Sequence, residues 1–215
     1  VETSFDDEEN PPVFDETEGA RILTGTDDDE TAFSFSHERD LGVSTLMEFG
    51  IDWRDKGRDV EQRTSEVDSD DEDAPLPAFG DYELATSSID ETRIDPYLMF
   101  SGGADTIEWE TGLRYETTDV DVAYNGDVGS TDYSILLPSG HLRWNLSDDD
   151  RLSLSLGRTV RRPNFNFILP LELEEEYGDN DFVGNPQLDP ETAWGVDLGF
   201  ERRLGRSGIV GVNVF

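Results

Sequence analysis

The sequence contains no cysteine and no long apolar run. The absence of cysteine excludes disulfide bonds, thiolate metal sites and cysteine nucleophiles. A membrane-spanning helix requires about 20 consecutive apolar residues, whereas the longest aliphatic run here is Ile135-Leu136-Leu137. If this protein meets a membrane, we therefore expect it to cross the membrane with β-strands.

Basic residues are also scarce. The chain has 16 Lys and Arg residues against 51 Asp and Glu residues, and its formal net charge is -35. A field of this sign repels the phosphates of nucleic acids and of anionic lipid headgroups alike. We therefore expect no nucleic-acid partner.

The acidic residues concentrate in three segments of the chain. Residues 1–30 hold 12 Asp and Glu, residues 64–92 hold 10 and residues 163–190 hold 7, with Arg21 as the one basic residue among them. These segments also collect prolines, and none of their acidic runs has the residue order of an EF-hand. We interpret them as solvated acidic surface, and cation binding in the loops is the alternative that the sequence leaves open.

Between these segments, apolar residues recur at every second position, which is the period of a β-strand with two unlike faces. Ile107, Leu113 and Tyr115, for instance, alternate with charged residues, and the row from Val43 to Trp53 shows the same division. The pattern predicts strands at roughly 31–39, 43–53, 93–101, 105–122, 131–146, 151–162, 191–204 and 208–215.

The predicted connections alternate between short turns and longer loops. The turns fall at 40–42, 102–104, 147–150 and 205–207, and the longer connections at 54–92, 123–130 and 163–190. This alternation is typical of outer-membrane barrels, whose turns face the periplasm and whose loops face outside. The sequence therefore predicts an all-β fold, an antiparallel up-and-down transmembrane β-barrel of which about eight strands are present. The predicted extracellular loops are 1–30, 54–92 and 163–190.

The polar face of the predicted strands carries full charges. A wet barrel lumen accepts such residues, whereas the core of a soluble sandwich could not bury them unpaired. The predicted lumen-facing residues are Glu108, Glu110, Arg114, Glu116, His141 and Arg143.

The sequence offers few residues for enzyme catalysis. The chain has two histidines, His37 and His141, and it lacks the GxSxG motif of serine hydrolases. Glu108 and Glu110 would stand about 7 Å apart on one strand, which a glycosidase pair could use, but a lumen wall also needs such residues to pair with one another. We predict no enzyme activity, no cofactor and no metal site.

Three motifs in the second half of the chain carry a family resemblance. They are Leu137-Pro138-Ser139, Arg162-Pro163, and Gly184-Asn185-Pro186 followed by Leu188, Pro190 and Glu191. In this order and spacing, residues 93–215 resemble the β-barrel domain of TonB-dependent outer-membrane receptors, and residues 31–53 fit the same pattern. The resemblance implies a barrel of about 22 strands with a plugged lumen. We therefore expect the chain to be a fragment, the C-terminal part of the barrel domain without its plug domain.

The resemblance also implies a function. Such a receptor imports a scarce nutrient across the outer membrane of a Gram-negative bacterium, using energy from the inner-membrane TonB complex that reaches it through the plug region. The expected partners are outer-membrane lipid, the TonB complex and a small-molecule nutrient or chelate of the siderophore, cobalamin or carbohydrate class.

Loop aromatics among carboxylates could contact this cargo by stacking on a sugar or by meeting a cationic chelate. The candidates are Phe79, Tyr82, Phe165, Phe167, Tyr177 and Phe182. A passive outer-membrane porin and a soluble acidic β-sandwich that binds a ligand are the alternative functions.

Overall fold

The structure is a computed structural model, and it describes residues 2–6, 13–69, 75–170, 172–173 and 182–215. Within these ranges, nine antiparallel strands form one sheet, and neighbours in that sheet follow one another along the chain. They are β1 (Glu2–Asp6), β2 (Val13–Asp40), β3 (Thr45–Ser69), β4 (Glu83–Ala104), β5 (Ile107–Tyr124), β6 (Asp127–Asn145), β7 (Asp150–Arg161), β10 (Glu191–Leu204) and β11 (Gly208–Val214).

A short helix and a small hairpin lie between β7 and β10. The helix is α1 (Phe165–Ile168), and β8 (Glu172–Leu173) pairs with β9 (Phe182–Val183) in a separate two-stranded sheet. Within the described ranges, no helix is long and apolar enough to cross a membrane.

The predicted all-β, antiparallel up-and-down architecture is confirmed. The main sheet is a single meander in chain order, whereas a sandwich would pack two sheets face to face. Its strands are also long. The strand β2 has 28 residues and β3 has 25, whereas a typical strand in a soluble protein has about five or six.

The predicted loop boundaries are wrong in two of the three acidic segments. Residues 13–30 belong to β2, and residues 54–69 and 83–92 belong to β3 and β4. The register between β2 and β3 runs unbroken from Thr17 opposite Ser69 to Asp40 opposite Leu46. The hydrogen-bond ladder therefore continues where the side chains turn from apolar to charged, because backbone pairing does not require apolar side chains.

The predicted loop at 123–130 is instead a two-residue turn. Asn125 and Gly126 have φ angles of 48° and 94°, the left-handed conformation that an Asn-Gly hairpin turn requires. Of the third acidic segment, residues 162–190 do lie between two long strands. The extracellular position of all these segments stays a prediction.

The cross-strand register shows which side chains share a face of the sheet. We call the face that carries Glu108, Arg114 and Glu116 the inner face, and the face that carries Leu113 and Tyr115 the outer face. The outer face has a broad row of exposed apolar side chains, which we call the apolar band. It includes Phe33, Phe35, Phe49, Ile51, Leu98, Leu113, Tyr115, Leu136, Leu154, Val196 and Val212.

The polarity of the two faces reverses along the strands. On β5, the outer face is apolar as far as Tyr115 and acidic at Asp119, whereas the inner face is charged as far as Glu116 and apolar from Val120. The apolar side chains of this second region pack with one another on the inner face. The buried cluster that they form consists of Val60, Ile89, Val120, Val122, Ile168 and Leu169.

Candidate functional site

Residues 162–170, which we call the ledge, fold onto the inner face of the sheet. Ile168 and Leu169 are 5% and 2% exposed, and both belong to the buried cluster with side chains of β3, β4 and β5. The Asn185 N–H donates to the Phe167 carbonyl at 2.8 Å, so the chain leading into β10 returns along the ledge. Burial of apolar surface therefore fixes the ledge to the wall.

Arg58 is the main polar anchor of the ledge. Its Nε and Nη2 donate to the two carboxylate oxygens of Asp28 at 2.6 and 2.8 Å, and its Nη1 donates to Asn166 Oδ1 at 2.7 Å. The guanidinium also lies 5.6 Å from the centre of the Phe165 ring. The hydrogen bond from Arg58 lowers the pKa of Asp28, and the same bond raises the pKa of Arg58.

A second anchor joins the start of the ledge to β5. The Arg162 guanidinium donates to the carboxylate of Glu116, which is buried on the inner face. An Arg–carboxylate pair of this kind is a charge-assisted bond, which is stronger than a neutral one. The ledge is therefore held at both ends of its first turn, by Arg162 and through Asn166.

Further ion pairs follow the inner face. Arg54 Nε and Lys56 Nζ lie 3.2 and 3.4 Å from the same carboxylate, that of Glu30. Arg93 lies 2.8 Å from Asp95. Arg114 Nη1 lies 2.8 Å from Asp52, which is two residues before Arg54 on β3.

A cavity of about 550 Å³ lies between the ledge and β2, β3 and β4. Its volume falls in the usual range for small-molecule sites, about 300–1,000 Å³. It holds five of the sixteen Lys and Arg residues of the chain but only four of the fifty-one Asp and Glu residues. The basic residues are Arg54, Lys56, Arg58, Arg93 and Arg162, and the acidic ones are Asp28, Asp29, Glu30 and Glu91.

The outer face of the same strands has the opposite character. Asp27 pairs directly across from Asp59, and Asp90 across from Asp121. Burial raises the pKa of Asp90, and the surrounding carboxylates, Asp59 foremost, raise it further. Like charges directly opposite one another destabilise a sheet, so these pairs cost stability.

The six predicted lumen-facing residues share the inner face. Glu108 accepts a hydrogen bond from Arg143 at 2.9 Å, and His141 Nδ1 lies 2.8 Å from Ser155 Oγ. Glu110 lies opposite His141 in the register. Two members of this set connect to the lining of the cavity, Glu116 through Arg162 and Arg114 through Asp95 and Arg93. That this face lines a lumen stays a prediction.

The six aromatic residues predicted to contact cargo do not come together in one site among the described residues. Phe165 packs against the buried cluster. Phe79 lies near Gly19 on the outer side of β2, where the centre of its ring is 4.7 Å from the Arg21 guanidinium carbon. Tyr82 and Phe167 are exposed. Tyr177 lies outside the described residues, and for Phe182 the structure describes only the backbone, which pairs with Leu173.

Three of the five basic residues of the cavity, Arg54, Lys56 and Arg58, fall in the segment 54–92, which the sequence analysis assigns to a loop. A signal was present, however, since Arg54, Lys56 and Arg58 alternate with Asp55 and Asp59. Charges of opposite sign at every second position indicate a strand with one basic and one acidic face, just as apolar residues do.

Other chemistry at this site is limited by the side chains present. Among the residues that the structure describes, no group of three or more His, Asp or Glu side chains is arranged to hold a metal ion. The inner wall instead offers guanidinium, ammonium and carboxylate groups in ion pairs, which can exchange partners with a charged ligand.

A long antiparallel meander with an apolar band on one face and ion pairs on the other defines a section of a transmembrane β-barrel wall. The family model described as "TonB dependent receptor-like, beta-barrel" matches residues 2–215. The chain belongs to this family of TonB-dependent receptors. Among curated proteins, none matches the chain by sequence.

Two solved structures are similar to the chain. The ferric citrate transporter FecA in its unliganded form has a TM-score of 0.54 and 14% identity, covering 87% of this chain and 27% of that one. The copper transporter OprC has a TM-score of 0.41 and 13% identity, covering 86% of this chain and 34% of that one. The chain thus spans about a third or less of the length of these relatives, and the likeness to the first supports the barrel fold.

Proposed function

We propose that this chain forms part of the wall of an outer-membrane receptor that imports a scarce nutrient by TonB-dependent active transport. The observation that carries the proposal is the division of one sheet into an exposed apolar band and an inner face of ion pairs that the ledge partly covers. A wall facing lipid on one side and a hydrated passage on the other requires this division. Membership of the TonB-dependent receptor family supports the energy coupling.

Within this proposal, the ledge narrows the passage on the inner face. Its anchors are an apolar cluster and two arginine contacts, so it is a fixed part of the wall. Tyr82 and Phe167, which are exposed, remain proposed cargo contacts. The cargo classes to be compared are siderophores, cobalamin and carbohydrates.

A growth experiment tests the proposed function. A strain lacking the gene should lose uptake of one nutrient at limiting concentration, and a strain with inactive TonB should lose the same uptake. Fractionation of the parent strain should recover the protein in the outer membrane. Uptake that depends on the gene but persists without TonB would instead indicate a passive porin.

A further inference from the structure

We propose that a groove on the outer face of β2 to β5, beyond the apolar band, is a docking site for a basic peptide segment of a partner protein. The groove has a volume of about 630 Å³, and its lining includes Leu23, Asp27, Asp59, Glu61, Arg63 and Ser88. We call it the flank groove. The proposal concerns a partner on the outer face and not the cargo, so it goes beyond the proposed transport function.

The flank groove has an apolar rim. Leu23 and Leu84 lie on either side of Arg63 in the register, and their side chains are 51% and 58% exposed. Small side chains form the adjoining floor, because Gly25 lies opposite Glu61 one row further along the strands. A concave surface with exposed leucines at its rim favours a partner that brings an apolar side chain of its own.

A free strand edge beside the groove favours a peptide over a small molecule. The strand β4 pairs with β3 as far as Glu83, whereas its ladder with β5 ends at Ser87, because β5 stops at the Asn125-Gly126 turn. Within the described residues, the edge of β4 from Glu83 to Ala85 therefore has no strand partner on the β5 side. Extended peptides bind proteins by pairing with such an edge.

The charge of the groove selects a basic peptide. Asp27 and Asp59 lie directly opposite one another, and no basic side chain among the described residues forms an ion pair with either of them. Arg63, the basic residue of the lining, is paired with Glu61. Opposed carboxylates destabilise a sheet, so a cationic side chain bound between them would offset that cost.

The same carboxylates fit a metal ion or a lipid headgroup less well. Calcium takes about six to eight oxygen ligands, and within the described ranges no three His, Asp or Glu groups are arranged to hold an ion. Anionic headgroups are repelled by the carboxylates. An extended peptide presents side chains on one face about 7 Å apart, so two basic side chains can meet the two carboxylates separately.

Binding of a synthetic peptide to the complete receptor, purified in detergent, tests the proposal. The probe is the capped, fluorescently labelled peptide Ser-Leu-Ser-Lys-Ser-Lys-Ser, which presents its leucine and both lysines on one face when extended. We expect fluorescence anisotropy to show binding that weakens about fivefold or more when Gln replaces both lysines. The double variant Asp27→Asn/Asp59→Asn should weaken it similarly, because each exposed ion pair contributes up to about fivefold.

Asp119→Asn/Asp132→Asn is the matched control. These two carboxylates also lie opposite one another on the outer face, on β5 and β6, but they do not line the groove. Both double variants remove like-charge repulsion, so neither should lose stability. Equal weakening by the two variants would mean general charge attraction and would overturn the proposal. No binding of the lysine peptide at millimolar concentration would also overturn it.

A steric test leaves the charge unchanged. Ser88→Trp fills the groove between Asp59 and Ala123 and should abolish binding of the peptide, whereas Ser130→Trp, on the outer face of β6, should not. Full binding to the Ser88→Trp receptor would place the peptide elsewhere and refute the proposal. Loss of peptide binding in millimolar calcium at constant ionic strength would identify a cation site instead. If TonB-dependent uptake of a nutrient persists while these tests fail, this inference is wrong and the proposed function stands.

Discussion

The environment of each side chain in this sheet depends on which face it occupies and on how far along the strand it lies from the apolar band. Asp90 illustrates the point, because its outer-face position brings it opposite Asp121 and close to Asp59. Burial and these carboxylates raise its pKa, so the charged form is disfavoured in the folded state. A raised pKa means that protonation favours folding, and the stabilisation present at low pH is lost as the pH rises through the folded-state pKa.

We therefore predict that Asp90→Asn raises the melting temperature of the receptor at pH 7. The neutral side chain removes the repulsion that the carboxylate suffers there. The gain should shrink as the pH is lowered and vanish below the ordinary Asp pKa of 3.8, where the native side chain is protonated as well. Melting temperatures of Asp81→Asn, a change in the loop before β4, provide the comparison and should differ little from the parent.

Ile89 gives a second prediction at the scale of the residue. Its side chain is fully buried in the cluster beneath the ledge, so Ile89→Ala should destabilise the fold by about 2–5 kcal/mol. Leu84→Ala, on the same strand but 58% exposed, should cost far less. Denaturant unfolding in detergent would measure both, and equal losses would contradict a core at this position.

Among the structural elements, the long strands could be predicted from sequence and the ledge could not. Period-two alternation predicts the parts of β3 and β5 that carry the apolar band, but it does not predict the strand ends, where charged residues replace apolar ones. The ledge depends on contacts between distant residues. Arg58 meets Asn166 at a separation of 108 residues, and nothing in the local sequence of either residue specifies that contact.

Gly184 packs against the backbone of the ledge, and its replacement gives a testable prediction. A Cβ at this position would collide with the backbone carbonyl of Leu169, so Gly184→Ala should displace the ledge from the wall. We expect faster cleavage within residues 162–190 by a protease of broad specificity, with the rest of the sheet remaining intact. Gly195→Ala is the control, because a Cβ there has open space, and cleavage equal to that of this control would argue against a close fit.

Across the whole sheet, the apolar band ends where the polarity of the two faces reverses along the strands. Leu113 and Asp121 both lie on the outer face of β5, the first within the band and the second beyond it. A basic residue on the lipid face of a barrel costs about 2–4 kcal/mol near the middle of the bilayer and about 0–1 near its edge. Identical substitutions at two positions on one face should therefore have different effects.

We predict that Leu113→Arg sharply reduces the amount of folded receptor in the outer membrane, whereas Asp121→Arg leaves it unchanged or higher. The second substitution replaces one of two opposing carboxylates with a partner for Asp90. The heat-modifiable, folded fraction on gels of outer-membrane preparations measures both variants. An equal loss at the two positions would show that the band extends along the whole strand.

The order of the strands has a consequence for how such a wall can evolve. From β3 to β10, each strand of the main sheet pairs with the strand before it and with the strand after it in that sheet. Duplication or deletion of one hairpin in the gene therefore keeps the direction of every remaining strand and requires only one new pairing at the junction. The number of strands in the wall can therefore change in steps of two, while the ledge and its cavity, which contact β2 to β5 and the segment leading into β10, are inherited as a unit.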